Sequence, residues 1–177
     1  DALQLTHLLF ESDTPINFTG KHFTLEDAVL MPRPQRKGGP PILIGGKGPK
    51  RTLGMVAKYA REWNAVFLEM SLFKQLNASL NEMLAEQGRQ SGDVKRSLMT
   101  RVFYGRNDAE LQTLLGTNTA ADLIARGLIV GTANQITDQI GAWVDAGIER
   151  FMLQWIELDD IDRMEAMARD ILPHFHV

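Results

Sequence analysis

Residues 40–53, reading PPILIGGKGPKRTL, place a glycine turn between a short apolar run and the start of a helix. Glycines let backbone amides approach a ligand closely, and the unpaired amides of a helix N-terminus add a partial positive charge. Ile44, Gly45, Gly46, Lys47 and Gly48 are therefore a candidate phosphate-binding turn. Lys47, Lys50 and Arg51 crowd the same positive helix end, where each cation costs a few tenths to about 1 kcal/mol. A bound anion would reverse the sign of that cost. The plain alternative is a tight turn beside three solvated cations. Two common nucleotide motifs are absent: Lys47 is followed by Gly48 rather than Ser or Thr, and GKG runs into Pro49, Lys50 and Arg51 without the last glycine of a dinucleotide fingerprint. ATP and NAD are demoted accordingly.

Other residues give weaker signals. Trp63 and Asn64 stand at the start of an apolar run, as a core tryptophan and a turn asparagine or as contacts to a ligand; Asn64 is taken as a further cofactor-binding candidate. Glu69, Arg106, Asn107 and Glu157 each follow a strand-like run, as loop residues or as contacts at a functional rim. Gln154 and Trp155 alternate in direction, so one of them can point into a barrel. His7 and His22 have no partner at ligand spacing, and His174 and His176 share a direction only on an extended tail, so no metal site is expected. No G-x-S-x-G elbow supports a serine hydrolase. Asp159, Asp160 and Asp162 fit stabilisation of a helix start better than paired acid and base work. No catalytic residue is identified.

With 177 residues, 44% of them hydrophobic and 23% charged, the chain can bury a core and is expected to form one partial barrel domain over 1–177. Nineteen basic against 22 acidic residues, a net charge of -3, give no global case for nucleic acid or an anionic membrane. The absence of cysteine excludes disulfides and thiolate chemistry and fits a reducing cytoplasm. No apolar run approaches the roughly 18 to 20 residues that cross a bilayer. The start at Asp1 without methionine reads as a fragment or a processed product.

The elements that must position the turn follow from periodicity. Leu3, Leu5, Leu8, Leu9 and Phe10 recur at near-helical spacing up to Asp13 and Pro15. Two β-prone runs around Phe18 and Phe23, split by Gly20 and Lys21, predict a hairpin, and the prolines and glycines of 31–41 predict an extended connector. From 42 onwards strands and helices alternate. Strands are expected at 42–44, 63–68, 97–104 and 149–156, and helices at 49–60, 71–87, 133–146 and from 161. Ser71 is the expected N-cap and Gly88 the C-terminal stop of the second helix, while Thr132 with Gln135 forms a capping box. The last helix is expected to bury Ile161, Met164, Ala168, Ile171 and Leu172, and 105–131 reads as an insertion with two short helices. Four strand-helix units imply a parallel sheet. They make half of a (β/α)8 TIM-type barrel, whose usual length is about 250 residues, or a small open α/β sheet.

In order and spacing, several pieces together resemble the luciferase-like monooxygenase superfamily, the bacterial-luciferase-type barrel enzymes that use FMN or the deazaflavin coenzyme F420. They are the hairpin with Phe18, Gly20 and Phe23; Pro32, Pro34 and Pro40-Pro41; Ile44, Gly45 and Gly46 with Thr52-Leu53; Tyr59-Ala60; Trp63-Asn64; Gly88-Arg89; and Gly131-Thr132. The deazaflavin-dependent branch is the nearer likeness. The resemblance implies the C-terminal half of a barrel, with the cofactor phosphate near the turn after the fifth strand, here 45–48. It also places most of the flavin-ring contacts on four earlier strands that this sequence lacks. An oxidoreductase with F420, or FMN, a small-molecule substrate and a homodimeric assembly are the expectations. A non-catalytic half-barrel that needs a partner to complete its sheet is the alternative, and a phosphosugar-binding barrel is a third reading.

Overall fold

The computed structural model describes residues 1–175, so His176 lies outside the described residues. Helix α1 (Ala2–Glu11) is followed by the antiparallel hairpin β1 (Ile16–Thr19) and β2 (Thr24–Ala28). The second strand begins just after Phe23, because 20–23 are needed to close the turn through the Gly20 amide and the Phe23 carbonyl at 2.8 Å. Arg33, from the proline-rich connector, donates to the carbonyls of Leu9 (2.7 Å) and Phe10 (3.1 Å) and pairs with Asp13 (3.0 Å). A cation thus meets the negative end of α1.

The alternating part comprises β3 (Leu43–Gly45), α2 (Arg51–Tyr59), β4 (Glu62–Val66), α3 (Met70–Glu86), β5 (Lys95–Tyr104), α4 (Asp108–Leu115), α5 (Ala120–Ala125), β6 (Ile129–Gly131), α6 (Ala133–Asp145), β7 (Arg150–Gln154) and α7 (Ile161–Ile171). Every strand pair from β3 onwards is parallel. The architecture is α/β, with strand order β3, β4, β5, and with β6 and β7 sharing the far edge of β5. Val102–Tyr104 pair with β6, and Ser97–Arg101 pair with β7. The segment 105–131 therefore carries a strand as well as two helices. Three residues, Ile-Val-Gly, are too short to show a period.

One face of the sheet is packed by helices. Trp63 of β4 is fully buried and stacks on Phe73 of α3, with ring centroids 5.6 Å apart and planes 11° from parallel. Phe73 meets Trp143 of α6 edge-on at 5.5 Å. Such aromatic contacts add about 0.5–1.5 kcal/mol each beyond the area they bury. A smaller cluster of Leu111, Leu115, Leu123 and Val130 joins α4 and α5 to β6, with Phe103 of β5 against it.

Buried polar ties fix the helices to the strands. Arg89, just past α3, donates to the carbonyls of Ala57 (2.8 Å) and Ala60 (2.7 Å) at the end of α2. Burial, then the neighbouring Arg61, lowers its pKa from the ordinary arginine value. Arg96 at the start of β5 donates to Asn77 (2.9 Å) and Asn81 (2.6 Å) of α3. Gly88 takes a positive φ of 67° as the stop of α3, but Ser71 is no cap: Glu69 holds that position and accepts from the Ser71 hydroxyl. The capping box at Thr132 and Gln135 is formed.

The last helix differs from its apolar pattern. It buries Arg163, Ala166 and Ile171 and leaves Ile161, Met164 and Leu172 exposed. Arg163 accounts for the difference: its guanidinium lies 5.1 Å from the centre of the Trp155 ring and 3.1 Å from Asp160, which turns the Arg163 face inward. Aliphatic stem, stacking and ion pair outweigh the local hydrophobic stripe.

Tyr104, at the end of β5, donates to Asp170 of α7 at 2.7 Å. Burial, and then the carboxylate that accepts its proton, push the phenol up to about 12. The folded state keeps this proton where an unfolded tyrosine, with pKa about 10, has lost it. The contribution is therefore complete below pH about 10 and disappears as pH rises through the folded value. Urea unfolding at pH 9 and pH 12 should show a larger loss of stability for the native chain than for Tyr104→Phe. Equal losses would separate the bond from the pH response.

Candidate functional site

The parallel register of β3 and β4 sets Gly45 opposite Asn64, and the chain turns at the next residue. The Gly46 amide donates to the Asn64 carbonyl at 3.0 Å, and the Gly46 carbonyl accepts from Trp63 Nε1 at 2.8 Å. Gly46 takes φ +125°, a conformation L side chains rarely adopt. Both of its polar backbone groups are engaged within the protein. A side chain that is otherwise all core thus holds the turn from below.

The open donors lie further along. Among the described residues, the amides of Lys47, Gly48, Lys50, Arg51 and Thr52 have no backbone acceptor, while Pro49 has no amide to give. They cluster at the start of α2, whose first turn contains no acidic residue and has no side-chain cap. Thr52 closes the loop: a Cβ on Gly48 would lie 2.7 Å from its Oγ1. Ile44 packs on the helix-side core and Gly45 ends β3, so these two and Gly46 form the scaffold of the turn. Lys47, Gly48 and Thr52 carry the unpaired amides on its open side. Thr52, four residues on from Gly48, is a landmark of the family likeness in the sequence but not one of the residues expected in the turn.

Asn64 lies within β4, not at its start, and is 4% exposed. Trp63 and Ala65 face the helices, so Asn64 faces the opposite side of the sheet with Glu62. Its Nδ2 donates to Ser97 Oγ (2.9 Å) and approaches Met152 Sδ (3.6 Å), joining β4, β5 and β7 across this inner face. Below them Arg150 pairs with Glu62 at 2.8 Å, leaving Glu62 Oε1 buried without a partner. Above them, towards the C-terminal strand ends, are Met99, Arg101 and Gln154. Gln154, not Trp155, belongs to the inner face, since Trp155 packs on the helix-side core. Phe67, at the top of β4, has φ +45°, a costly conformation for a non-glycine residue, beside this rim.

The remaining rim candidates have local partners. Glu69 accepts from Ser71, Asn107 caps α4 by accepting from the Glu110 amide at 3.0 Å, and Arg106 pairs with Glu110 at 3.2 Å. Glu157 pairs with Arg101 at 2.7 Å. Asp160 caps α7 by accepting from the Arg163 amide at 3.1 Å. Among the described residues no group of three or more His, Cys, Asp or Glu could hold a metal ion, and no helix is long and apolar enough to cross a membrane.

The luciferase-like monooxygenase family profile matches residues 1–127, more than two thirds of the sequence. The chain belongs to the luciferase-like monooxygenase family. The fold likeness covers more of the chain than the matched profile does. An F420-dependent secondary alcohol dehydrogenase, solved with an F420-acetone adduct, matches 96% of this chain with a TM-score of 0.76 at 20% identity. The coenzyme F420-dependent tetrahydromethanopterin reductase of Methanopyrus kandleri matches 96% with a TM-score of 0.80 at 16% identity. The oxygenating constituent of 3,6-diketocamphane monooxygenase from Pseudomonas putida, solved with FMN, matches 96% with a TM-score of 0.68 at 14% identity. This chain spans 60% of the length of each of the three. It has the fold of a partial TIM barrel. No curated protein matches the sequence.

Gly46 and Gly54, eight residues apart in this luciferase-like chain, should respond oppositely to the same change. Gly46→Ala forces a Cβ into the +125° backbone and should cost about 1–3 kcal/mol. Gly54 lies in α2 with nothing within 4 Å of an added Cβ, so Gly54→Ala should stabilise by about 0.5–1 kcal/mol. Denaturant midpoints of the two variants check the assignment, and a neutral Gly46→Ala would contradict the pinned turn.

Proposed function

We propose that this chain is the cofactor-phosphate-binding part of an F420- or FMN-dependent oxidoreductase acting on a small organic substrate, with F420 the favoured partner. The observation that carries the reading is the glycine turn, tied down through Gly46 and open through the amides of Lys47, Gly48 and Thr52. Five partnerless amides at a helix start fit a phosphate, and Lys47, Lys50 and Arg51 supply cationic charge that nothing in the first turn of α2 opposes. The Thr52 hydroxyl adds a neutral donor at the same place. When bound, a flavin or deazaflavin supplies hydride transfer or oxygen activation.

The protein's own contribution would be orientation. Asn64 and Ser97 present a hydrogen-bonded polar patch on the inner face, one strand register from the turn, and Met99 and Met152 line it with polarisable apolar surface. We assign cofactor contacts to Ile44, Gly45, Gly46, Lys47, Gly48 and Asn64 as one turn-and-strand unit of a single partial barrel domain, in which Ile44 to Gly46 set the shape and the rest meet the ligand. A cytoplasmic, homodimeric protein fits the lack of cysteine and the outer edges of β3 and β7, which are unpaired among the described residues. Those same edges favour the second reading, a half-barrel assembly module that binds no cofactor. Size-exclusion chromatography with parallel FMN titration separates the two, since a folded oligomer without affinity favours the module.

Titration with F420 and with FMN tests the main reading. The native chain should bind one of them at micromolar concentration. Thr52→Val should weaken binding by about ten- to a hundredfold, the value of one hydrogen bond to a charged group. Gly48→Asp, which sets a carboxylate beside the phosphate, should abolish it. Absence of binding to both cofactors, or unchanged affinity in Gly48→Asp, would overturn the assignment.

A further inference from the structure

Arg101 lies on the inner face of β5 near its C-terminal end, level with Gln154 of β7 and one pleat above Met99. Its guanidinium rests 4.1 Å from the centre of the Phe103 ring, and Phe103 is itself held by the smaller cluster that α4 and α5 build. One terminal nitrogen donates to Glu157 at 2.7 Å. Arginine carries five N–H donors in a rigid plane. Nε is buried here with no acceptor, so the group is fixed on one side by Glu157, supported from one face by Phe103, and unsatisfied at a desolvated donor. A structural arginine such as Arg89 spends its donors on backbone carbonyls. Arg101 does not.

Around it the inner face offers Met99, Met152 and Phe103 as apolar surface and the Gln154 amide as a neutral polar group. Resting on the oxidoreductase reading, we propose that Arg101 selects the substrate, and that the substrate class is a carboxylate on an apolar body. A planar oxyanion matches the planar donor set of a guanidinium, which a lone carbonyl or hydroxyl does not. Glu157 is a positioning residue: it sets the guanidinium plane and lowers the attraction for anions too small to use the apolar floor.

The test measures binding of hexanoate, hexanamide and 1-hexanol to the 177-residue chain by calorimetry, in the native protein, Arg101→Met and Arg101→Lys, with FMN and F420 titrated in parallel. Hexanoate should bind about tenfold or more tightly than hexanamide, in line with a charge-assisted pair. Arg101→Met keeps the stem on Phe103 and should erase that preference while leaving hexanamide and 1-hexanol unchanged. Arg101→Lys, which keeps charge without the planar fork, should retain part of it. Equal binding of hexanoate and hexanamide to the native chain, or a full preference in either variant, overturns the proposal. Joint loss of hexanoate and cofactor binding in Arg101→Met also overturns it, since Arg101 would then belong to the cofactor, and the phosphate turn would stand. Arg101-dependent hexanoate binding with no affinity for either cofactor would sink the oxidoreductase reading and leave the carboxylate site.

Discussion

The hydrogen bond from Trp63 Nε1 to the Gly46 carbonyl links the interior of this protein to its glycine turn. The indole is fully buried and stacked on Phe73, so it cannot follow a wandering loop. Paired with the bond from the Gly46 amide to the Asn64 carbonyl, it fixes one peptide from two sides. Leaving either group buried without its partner would cost on the order of 1–3 kcal/mol, which makes the turn geometry part of the fold rather than an accessory to it. The residues beyond Gly46 inherit that geometry. Their amides gather at the start of α2 because Pro49 and the lack of a cap leave nothing local for them to bind.

The same strand that carries Trp63 carries Asn64 to the other face. One pleat separates a side chain that organises the core from one that organises the inner surface. Asn64 ties β4 to β5 and β7 through Ser97 and Met152, and the polar layer continues upward to Arg101 and downward to the Glu62–Arg150 pair. The sheet is packed by helices on one side and carries a polar layer on the other, in which Glu62 Oε1 and Arg101 Nε are buried without partners. The insertion between β5 and β6 contributes at a distance by holding Phe103 under the Arg101 guanidinium.

Much of this is legible in the sequence. Alternating apolar runs and capped amphipathic helices marked the parallel α/β plan, and the order of glycine, proline and aromatic landmarks marked the family. Three features were not legible, for physical reasons. A sequence displays glycines without displaying which peptide groups they spend, so Gly46 read as an open donor when both its groups are engaged. Nothing in the apolar pattern of the last helix singles out Arg163, yet its stacking on Trp155 decides which face of α7 is buried. Arg101 lies within the expected strand 97–104 with nothing in the sequence to set it apart, since only the pairing of β5 with β7 and the approach of Glu157 reveal a buried donor without an acceptor.

Amide chemical-shift mapping during an FMN titration of the 177-residue chain reads out which backbone groups of the glycine turn meet a phosphate. The largest shifts are expected at the amides of Lys47, Gly48, Lys50, Arg51 and Thr52, with the Gly46 amide, bound to Asn64, shifting less than these. Shifts centred elsewhere with the 47–52 amides unmoved, or a Gly46 amide that responds as the strongest donor, would contradict this assignment.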